Sequence, residues 1–381
     1  MRNVLFFTHS LSGGGAEKTV RNLSNCINKI STEFKSYVCV VYDDETFHDK
    51  VENLIVLKTK SNPDDSKLKK AINVIKQIIE IRAIKKRLSI DICISFLPGA
   101  DIINVLSGIG ERKIVSVRNK ESLFTHSIFK KIYVKTSYLL CDKIVAVSEV
   151  VRQDVIDFFD INPEKVVTIH NAIDDTKGNP EKLLPEIEEF MASHRVIINV
   201  GRLAPEKGQE QLIRAFAKVN KEHPDTGLLI LGEGELRSEL EQLIKELKLE
   251  NNVLLPGRVN NTSEYLDKAK IFVLSSIVEG MPNVLLEALQ HGLPCISTEC
   301  GAREILAPDT DPLFVTDGID EGEFGMLVSV NDVEVLKTAT LKLLSDTLLT
   351  QHYAAKSVEC LLNYSMNNIA AEWLNLFDRI R

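Results

Sequence analysis

The sequence predicts an α/β protein with two parallel sheets, each covered by helices. Short apolar runs, typical of buried strands, alternate with helical stretches along most of the chain. This alternation restarts after a polar, irregular stretch at residues 174–185, which indicates a linker. The 381 residues, 44% of them hydrophobic, are sufficient for two cores. We therefore expect an N-terminal domain at residues 1–180, a second domain at 181–364 and a C-terminal helix at 365–381.

The elements follow from these patterns in chain order. Strands are predicted in the first half at residues 3–7, 37–42, 91–96, 113–117, 143–147 and 165–169. Those of the second half are predicted at residues 196–200, 228–231, 253–255, 271–274 and 294–297, with helices near Gln209, Glu235, Ser263 and Asn283. A further helix is expected between lysine clusters at 67–70 and 85–87. At the C terminus an amphipathic helix is predicted by the helical spacing of Ile369, Trp373, Leu376, Phe377 and Ile380.

Two carboxylates around the start of one short helix form the most informative motif. Glu279 lies in a loop after the apolar run 271–274, and Pro282 suits the first turn of the helix that follows. Asn283 and Glu287 are four positions apart and share a helix face. Backbone amides at a helix start attract phosphate, and carboxylates accept hydrogen bonds from sugar hydroxyls. Taken alone, such a pair more often complements the helix dipole and faces water; its surroundings favour a sugar-nucleotide site.

The stretch 275–294 resembles the E-x7-E signature of retaining glycosyltransferases of family four. Four further stretches are similar to segments of that family and occur in the same order: the strand, Gly-rich loop and helix of 1–18, the end of the first domain at 169–174, the phosphate loop at 199–208 and the Gly turn at 231–237. The resemblance covers most of the chain. It implies the GT-B fold, which has two facing Rossmann-like domains and a last helix that crosses back onto the first.

The resemblance implies that the second domain binds a nucleotide sugar, with Arg202 and Lys207 on the donor pyrophosphate. Arg can hold phosphate at two points, and Lys acts as a point charge. Glu279 is implied to hold sugar hydroxyls and Glu287 the ribose, while Arg258 helps to wall the base, for which uracil is preferred over guanine. The predicted donor-binding residues are Gly14, Gly15, Gly201, Arg202, Lys207, Gly232, Arg258, Glu279, Gly280, Met281, Pro282, Asn283, Val284 and Glu287. The predicted catalytic residues are Glu279, Arg202, Lys207 and Arg118.

One first-domain position departs from the family pattern. Many members have a His after a strand beside the reacting sugar, whereas this chain has Arg118 followed by Asn119. Arg118 could steady the acceptor or a sugar oxygen, or it could be a strand-end Arg paired with a local carboxylate. His9, at the end of the first strand, is a second candidate, with a role in lining the core or a loop as the alternative. His9, Arg118 and Asn119 form the predicted acceptor-binding set.

The resemblance implies metal-independent transfer of a hexose or N-acetylhexosamine from a UDP-sugar to a glycan acceptor, with retention and without a cofactor. The opening at residues 13–18 looks most like bacterial enzymes that build lipopolysaccharide, capsule or lipid-linked oligosaccharides. It therefore implies a polyprenyl-diphosphate-linked acceptor at the cytoplasmic face of the inner membrane. No apolar run approaches the ~18 residues of a membrane-spanning helix, and seven scattered cysteines predict reduced, mostly buried thiols.

Charge differs between the two halves. Residues 1–180 contain 27 Lys and Arg against 22 Asp and Glu, a net charge of +5, whereas the remainder contains 19 against 32, or −13. Much of the basic excess lies at residues 67–70, 85–87 and 129–135, interleaved with apolar residues. This pattern favours either an anionic membrane surface or a solvated face above a core stripe. Nucleic-acid binding is disfavoured because the whole chain is acidic.

Three other functions remain as alternatives. A nicotinamide enzyme would use Asp43 or Asp44 at a strand end, but Lys18 stands where the third Gly of a G-x-G-x-x-G fingerprint would fall. UDP-sugar epimerases share the GT-B architecture, although they give no reason for the Glu279 and Glu287 pair. A noncatalytic sugar-nucleotide-binding protein would not need the full set of charged residues.

Overall fold

The computed structural model describes residues 1–11, 15–42, 51–62, 64–173 and 182–380. The chain divides into two compact units, the first made of Met1–Asp174 with Tyr364–Arg381 and the second of Asp175–Asn363. Within the described residues, each unit is built on a seven-stranded sheet flanked by helices. The prediction of an α/β chain with two Rossmann-like, parallel-sheet domains is confirmed.

The sheet of the first unit is parallel throughout, in the order β3-β2-β1-β4-β5-β6-β7. Its strands are β1 (Arg2–Thr8), β2 (Phe34–Val40), β3 (Leu54–Val56), β4 (Ile90–Phe96), β5 (Arg112–Val117), β6 (Lys143–Ala146) and β7 (Val166–Thr168). Its helices before the second unit are α1 (Gly15–Ile30), α2 (Lys67–Arg87), α3 (Pro98–Leu106), α4 (Glu121–Phe124), α5 (Ile128–Leu140) and α6 (Glu149–Phe159).

The sheet of the second unit has the order β10-β9-β8-β11-β12-β14-β13, and its edge strand β13 runs antiparallel to β14. The strands are β8 (Arg195–Val200), β9 (Thr226–Leu231), β10 (Val253–Gly257), β11 (Ile271–Leu274), β12 (Cys295–Thr298), β13 (Ile319–Glu321) and β14 (Met326–Val328). The helices are α7 (Pro185–Ser193), α8 (Gln209–Glu222), α9 (Arg237–Glu246), α10 (Thr262–Lys268), α11 (Asn283–Gln290), α12 (Arg303–Leu306), α13 (Val333–Ser345) and α14 (Thr347–Leu361).

The last helix, α15 (Met366–Arg379), packs into the core of the first unit. Trp373 and Phe377 are buried there, and the Phe377 ring lies 5.5 Å from that of Phe34 between centroids. The Arg2 guanidinium donates to the Phe377 carbonyl at 3.1 Å. The amphipathic C-terminal helix and its return to the first domain are therefore confirmed.

The sequence missed strands β3, β13 and β14, each of which has only three residues and so shows little periodic pattern. The equally short β7 was predicted within residues 165–169. It also placed β2 at residues 37–42, whereas pairing with β1 begins at Phe34 and β2 ends at Val40. Pro282 is the residue just before α11 rather than part of its first turn. All seven cysteines are free thiols, six of them buried. Across the described residues, no helix combines the length and apolar character needed to cross a bilayer.

Candidate active site

The loops after β8 and β11 meet at the carboxyl edge of the second sheet, because these two strands are neighbours. Gly208 has φ +63°, and a Cβ on it would lie 2.1 Å from the Ser275 carbonyl oxygen. The Ile277 amide donates to the Glu206 carbonyl at 2.8 Å, and the Ser275 hydroxyl donates to the Lys207 carbonyl at 2.9 Å. Only Gly permits this close approach of the two loops.

Lys207 and Glu279 form an ion pair where these loops meet. The Lys207 Nζ lies 2.6 Å from Glu279 Oε1, and the Ser276 hydroxyl donates to the same oxygen at 2.8 Å. The Lys207 side chain is 24% exposed and the Glu279 side chain 14% exposed, so both are sheltered but remain accessible to a ligand. The structure thus brings together two predicted site residues that are 72 positions apart.

The backbone of Glu279 is fixed by the loop after β12. Its amide donates to the Cys300 carbonyl at 2.6 Å. Gly301 has φ +115°, and a Cβ there would lie 2.8 Å from the Glu279 carbonyl oxygen, so the absence of a side chain at Gly301 makes room for this backbone. Burial raises the pKa of the Cys300 thiol to about 12, so Cys300 stays a neutral thiol and supports the loop without reacting.

The helix that the sequence predicts after Glu279 is α11, which begins at Asn283. Pro282 precedes α11 and provides no side-chain cap, and Asn283 and Glu287 lie one turn apart on the helix. Both are half-buried, whereas Gly280 and Met281 are buried. The positive end of the dipole of α11 therefore lies next to Glu279 and close to the cation of Lys207. The dipole and the cation favour an anion, and the carboxylate favours hydroxyl groups attached to it.

Arg202 has a different environment from Lys207. Its guanidinium pairs with Glu206 at 2.5 Å, and its side chain is 68% exposed. The Gln209 amide group donates to the Arg202 carbonyl at 2.9 Å and holds the backbone of the loop. Arg202 thus lies on the predicted phosphate loop, but its present ion pair is with a neighbour on that loop rather than with Glu279.

The Gly turn after β9 packs on the phosphate loop. Gly232 has φ +150°, and a Cβ there would lie 1.9 Å from the Gly201 carbonyl oxygen. A Cβ on Gly234 would lie 2.2 Å from the Leu203 carbonyl oxygen. Arg258, just after β10, is exposed. The loops that follow β8 and β9 therefore pack backbone against backbone.

In the first unit, Arg118 follows β5 and contacts hydroxyl groups. Its guanidinium donates to Ser116 Oγ at 3.3 Å and to Thr19 Oγ1 at 3.4 Å, and it lies 5.7 Å from the centroid of the Phe96 ring. Burial lowers its pKa to about 10, which leaves it a cation at neutral pH. Among the described residues no carboxylate forms an ion pair with Arg118.

The remaining predicted residues of the first unit are placed as follows. His9, at the end of β1, is so close to Gly99 that a Cβ there would lie 2.2 Å from the His9 Nε2. Burial lowers the His9 pKa and favours the neutral ring. Asn119 is exposed after β5, and Gly15 begins α1. Gly14, Asp43 and Asp44 lie outside the described residues.

Sequence reasoning missed the residues that orient this cluster. These residues are Ser276, Glu206 and Gln209, which act through the contacts given above. The only sign of such a role in the sequence was that each is a polar residue beside a predicted strand end or helix start. Sequence reasoning also missed Arg303, which is buried and donates to Glu299 at 2.7 Å and Asp320 at 2.9 Å. In the part of the chain that the structure describes, no three His, Cys, Asp or Glu side chains are grouped to hold a metal ion.

Two Rossmann-like domains, with a Lys–Glu pair at the carboxyl edge of the second sheet, define a two-domain α/β protein of the GT-B class. Family comparison agrees. Residues 13–177 match the model described as Glycosyltransferase Family 4, and residues 182–358 match Glycosyl transferases group 1.

Individual relatives extend this finding. The chain is 30% identical over 368 residues to the N-acetylgalactosamine-N,N'-diacetylbacillosaminyl-diphospho-undecaprenol 4-alpha-N-acetylgalactosaminyltransferase of Campylobacter jejuni, and the alignment spans 94% of both proteins. It is 35% identical over 219 residues to the uncharacterized glycosyltransferase MJ1059 of Methanocaldococcus jannaschii, spanning 52% of this chain and 53% of that protein. The chain belongs to glycosyltransferase family 4.

A solved structure shows the same fold. Anabaena Alr3699/HepE, crystallised in complex with UDP, superposes with a TM-score of 0.80 at 18% identity, covering all of both chains. This likeness supports the GT-B fold that the sequence predicted.

Proposed function

We propose that this protein is a retaining glycosyltransferase that moves a hexose or N-acetylhexosamine from a UDP-sugar to a glycan linked to a lipid diphosphate. The observation that carries this proposal is the Lys207–Glu279 pair, held at 2.6 Å next to the start of α11. A cation and a helix start attract the diphosphate, while the adjacent carboxylate accepts hydrogen bonds from sugar hydroxyls. Nucleotide and sugar are thus recognised at one point of the sheet edge.

In the proposed reaction, the bond between the anomeric carbon and the diphosphate oxygen breaks as the acceptor oxygen bonds to the same face of the sugar. The acceptor proton passes to the departing phosphate oxygen. Lys207 and Arg202 oppose the negative charge that grows on UDP. We assign Glu279 to the sugar hydroxyls and Glu287 to the ribose, as the family resemblance implies. Lys207 and Ser276 hold the Glu279 carboxylate in place for this role. This scheme uses no metal and no cofactor.

The choice of substrates rests on the relatives. The Campylobacter jejuni protein is named for transfer of N-acetylgalactosamine to a diphospho-undecaprenol-linked sugar, and the Anabaena structure holds UDP. UDP-N-acetylgalactosamine is therefore the first donor to test, and a polyprenyl-diphosphate-linked glycan is the first acceptor. Such acceptors place the enzyme at the cytoplasmic face of the inner membrane in bacterial lipopolysaccharide, capsule or oligosaccharide assembly.

The first unit is proposed to bind the acceptor. Arg118 is a partly buried cation whose contacts among the described residues are two hydroxyl groups and the Phe96 ring. A phosphate or a sugar oxygen of the acceptor would complete its interactions. His9, a neutral ring by its lowered pKa, and the exposed Asn119 are the other proposed contacts.

The experiment measures transfer by wild type and by Glu279→Ala, using UDP-N-acetylgalactosamine and a polyprenyl-diphosphate-linked disaccharide. We expect wild type to give an α-linked product, identified by mass and by NMR of the anomeric proton. Glu279→Ala should lower kcat/KM by about 100-fold or more, because a charged group on the reacting sugar is lost.

Glu188→Ala is the matched control, because Glu188 also pairs with a lysine of the second unit, Lys268, at 2.9 Å. It should retain wild-type activity, and both variants should unfold within a few degrees of wild type. Full transfer by Glu279→Ala would remove Glu279 from the mechanism. An epimerised donor without transfer would instead establish the epimerase alternative.

A further inference from the structure

Helix α2 buries polar residues together with Ile81 and Ile84, and it exposes a stripe of apolar residues. Asn73 and Gln77 are buried, and their side-chain amides donate to the carbonyls of Lys60 at 3.2 Å and Thr59 at 3.1 Å. The opposite side presents four large aliphatic residues to solvent: Leu68, Ile72, Ile75 and Ile79. At 3.6 residues per turn these four fall within an arc of about 60° and form one stripe. Such a stripe is the reverse of an ordinary surface helix.

Helix α5 also presents an apolar face. Val134, Ser137 and Tyr138 are its buried residues. Its exposed residues include Ile128, Phe129, Ile132, Leu139 and Leu140, which fall within an arc of about 120°. Phe129 is 81% exposed, the highest value among these residues. Of the apolar residues between the lysines of this segment, Val134 is in the core, whereas Phe129 and Ile132 face solvent.

Both helices are strongly basic. Together α2 and α5 contain eleven Lys and Arg and one acidic residue, Glu80, although the whole chain has a net charge of −8. One of the eleven, Lys85, is buried in an ion pair with Glu111 and does not contribute to the surface. Lys131 lies 4.0 Å from the centroid of the Phe158 ring, and Lys130 donates to the Phe124 carbonyl at 2.7 Å. These contacts hold the two ammonium groups beside the exposed apolar face rather than on it.

The two helices belong to one layer of the first unit. Helix α3 packs against both of them and is buried over residues 100–105. The connections β3-α2-β4, β4-α3-β5 and β5-α5-β6 all advance in the same direction along the sheet, and right-handed crossovers in one direction lie on one side of it. The aliphatic stripe of α2 and the apolar face of α5 are thus on the same side of the sheet.

We propose that the outer surface of α2 and α5 docks onto an anionic lipid bilayer, with the apolar side chains inserted at the headgroup level and the lysines on the headgroups. This proposal rests on the proposed function, since a lipid-linked acceptor lies in a bilayer. Exposed Phe, Leu and Ile beside many cations and almost no acidic groups match such a surface in both hydrophobicity and charge. A protein partner would need a compensating acidic surface, and a second copy of this face would bring like charges together.

The test measures flotation of the full chain with two kinds of vesicle. One is pure phosphatidylcholine, and the other also contains about 30% phosphatidylglycerol, whose anionic headgroups give the surface a negative potential. Wild type should float with the anionic vesicles and remain largely unbound with the neutral ones. The double variant Leu68→Ser with Phe129→Ser should lower the partition coefficient by about tenfold or more, since two large apolar groups no longer insert. Replacing Lys67 and Lys76 by Glu should lower it further at low salt.

Leu348→Ser with Val358→Ser is the matched control, because these residues of α14 are 80% and 64% exposed in the second unit. It should float like wild type. Failure of wild type to float with anionic vesicles, or an equal loss in the control, would overturn the proposal. The proposal would also be overturned if wild type bound no vesicles and sedimented as a dimer that the Leu68 and Phe129 changes convert to a monomer.

Measuring sugar transfer to a water-soluble acceptor distinguishes a failure of this proposal from a failure of the proposed function. The Leu68 and Phe129 variant should keep wild-type transfer to that acceptor and lose activity only on the lipid-linked one. If wild type transfers no sugar but still floats, the proposed function fails and the membrane surface stands.

Discussion

At the residue scale, the first unit holds an unusual titratable group, the buried carboxyl of Asp101 in α3. One of its oxygens, Oδ1, has no hydrogen-bond partner, and burial raises its pKa well above the ordinary value. In the unfolded chain the same carboxyl would be ionised at neutral pH. The folded state therefore binds more protons than the unfolded one, and this residue makes folding less favourable as pH rises above the ordinary carboxyl pKa.

Asp101→Asn should therefore raise the free energy of unfolding at pH 7 by about 1–3 kcal/mol, because it removes the cost of keeping this carboxyl buried. The gain should shrink towards pH 4, where the unfolded carboxyl is itself protonated. Urea unfolding at both pH values measures the difference. A variant that is less stable than wild type at pH 7 would show that the carboxylate is ionised and stabilised in the folded protein.

Single residues of the site were predictable to different degrees. The sequence placed Lys207 and Glu279 at one sheet edge, because each follows a predicted strand and parallel strands end together. It could not predict that they pair, since a 2.6 Å contact depends on the conformations of two loops. The contact of Ser276 with Glu279 was not predicted for the same reason. The absence of a carboxylate partner for Arg118 among the described residues is likewise a tertiary fact.

At the element scale, the phosphate loop depends on a glycine that both turns the chain and touches another loop. Gly208→Ala should lower UDP affinity by at least about tenfold, because the added Cβ would meet the Ser275 carbonyl at 2.1 Å and displace Lys207. Isothermal titration with UDP measures this change.

Gly318→Ala is the control for backbone strain alone. Gly318 has φ +94°, but a Cβ there would meet no atom within 4 Å. It should lose some stability, about 1 kcal/mol, while keeping wild-type UDP affinity. Equal losses of affinity in the two variants would contradict the role assigned to the contact between the loops.

Whole elements were predictable where the pattern was long. The strands with four or more apolar residues and the helix at Lys67–Arg87 were found from the sequence. The orientation of that helix was not, because its buried side consists partly of Asn73 and Gln77, whose amides bond to backbone carbonyls. A hydrophobic pattern assigns the apolar side of a helix to the core and cannot show that hydrogen-bonded polar residues are buried there.

At the scale of the whole molecule, the first unit is completed by the end of the chain. Phe377→Ala should lower its free energy of unfolding by about 3–5 kcal/mol, because a fully buried ring is lost from the core. Trp373 is the single Trp of the chain and lies in this core, so its fluorescence in urea follows this unit. Leu348→Ala, exposed in the second unit, should leave that transition unchanged; an equal shift would contradict the assignment of α15 to the first core.

The central claim is that the second unit binds a UDP-sugar through Lys207 and its neighbours. The most direct measurement is thermal unfolding of wild type and Lys207→Met with equal concentrations of UDP, GDP, ADP and NADH. A ligand at 100 times its Kd stabilises the folded state by about 2.7 kcal/mol. We expect selective stabilisation of wild type by UDP, much reduced in Lys207→Met. A selective response to GDP would change the donor, whereas a response to NADH alone, or equal UDP binding by the variant, would contradict the account.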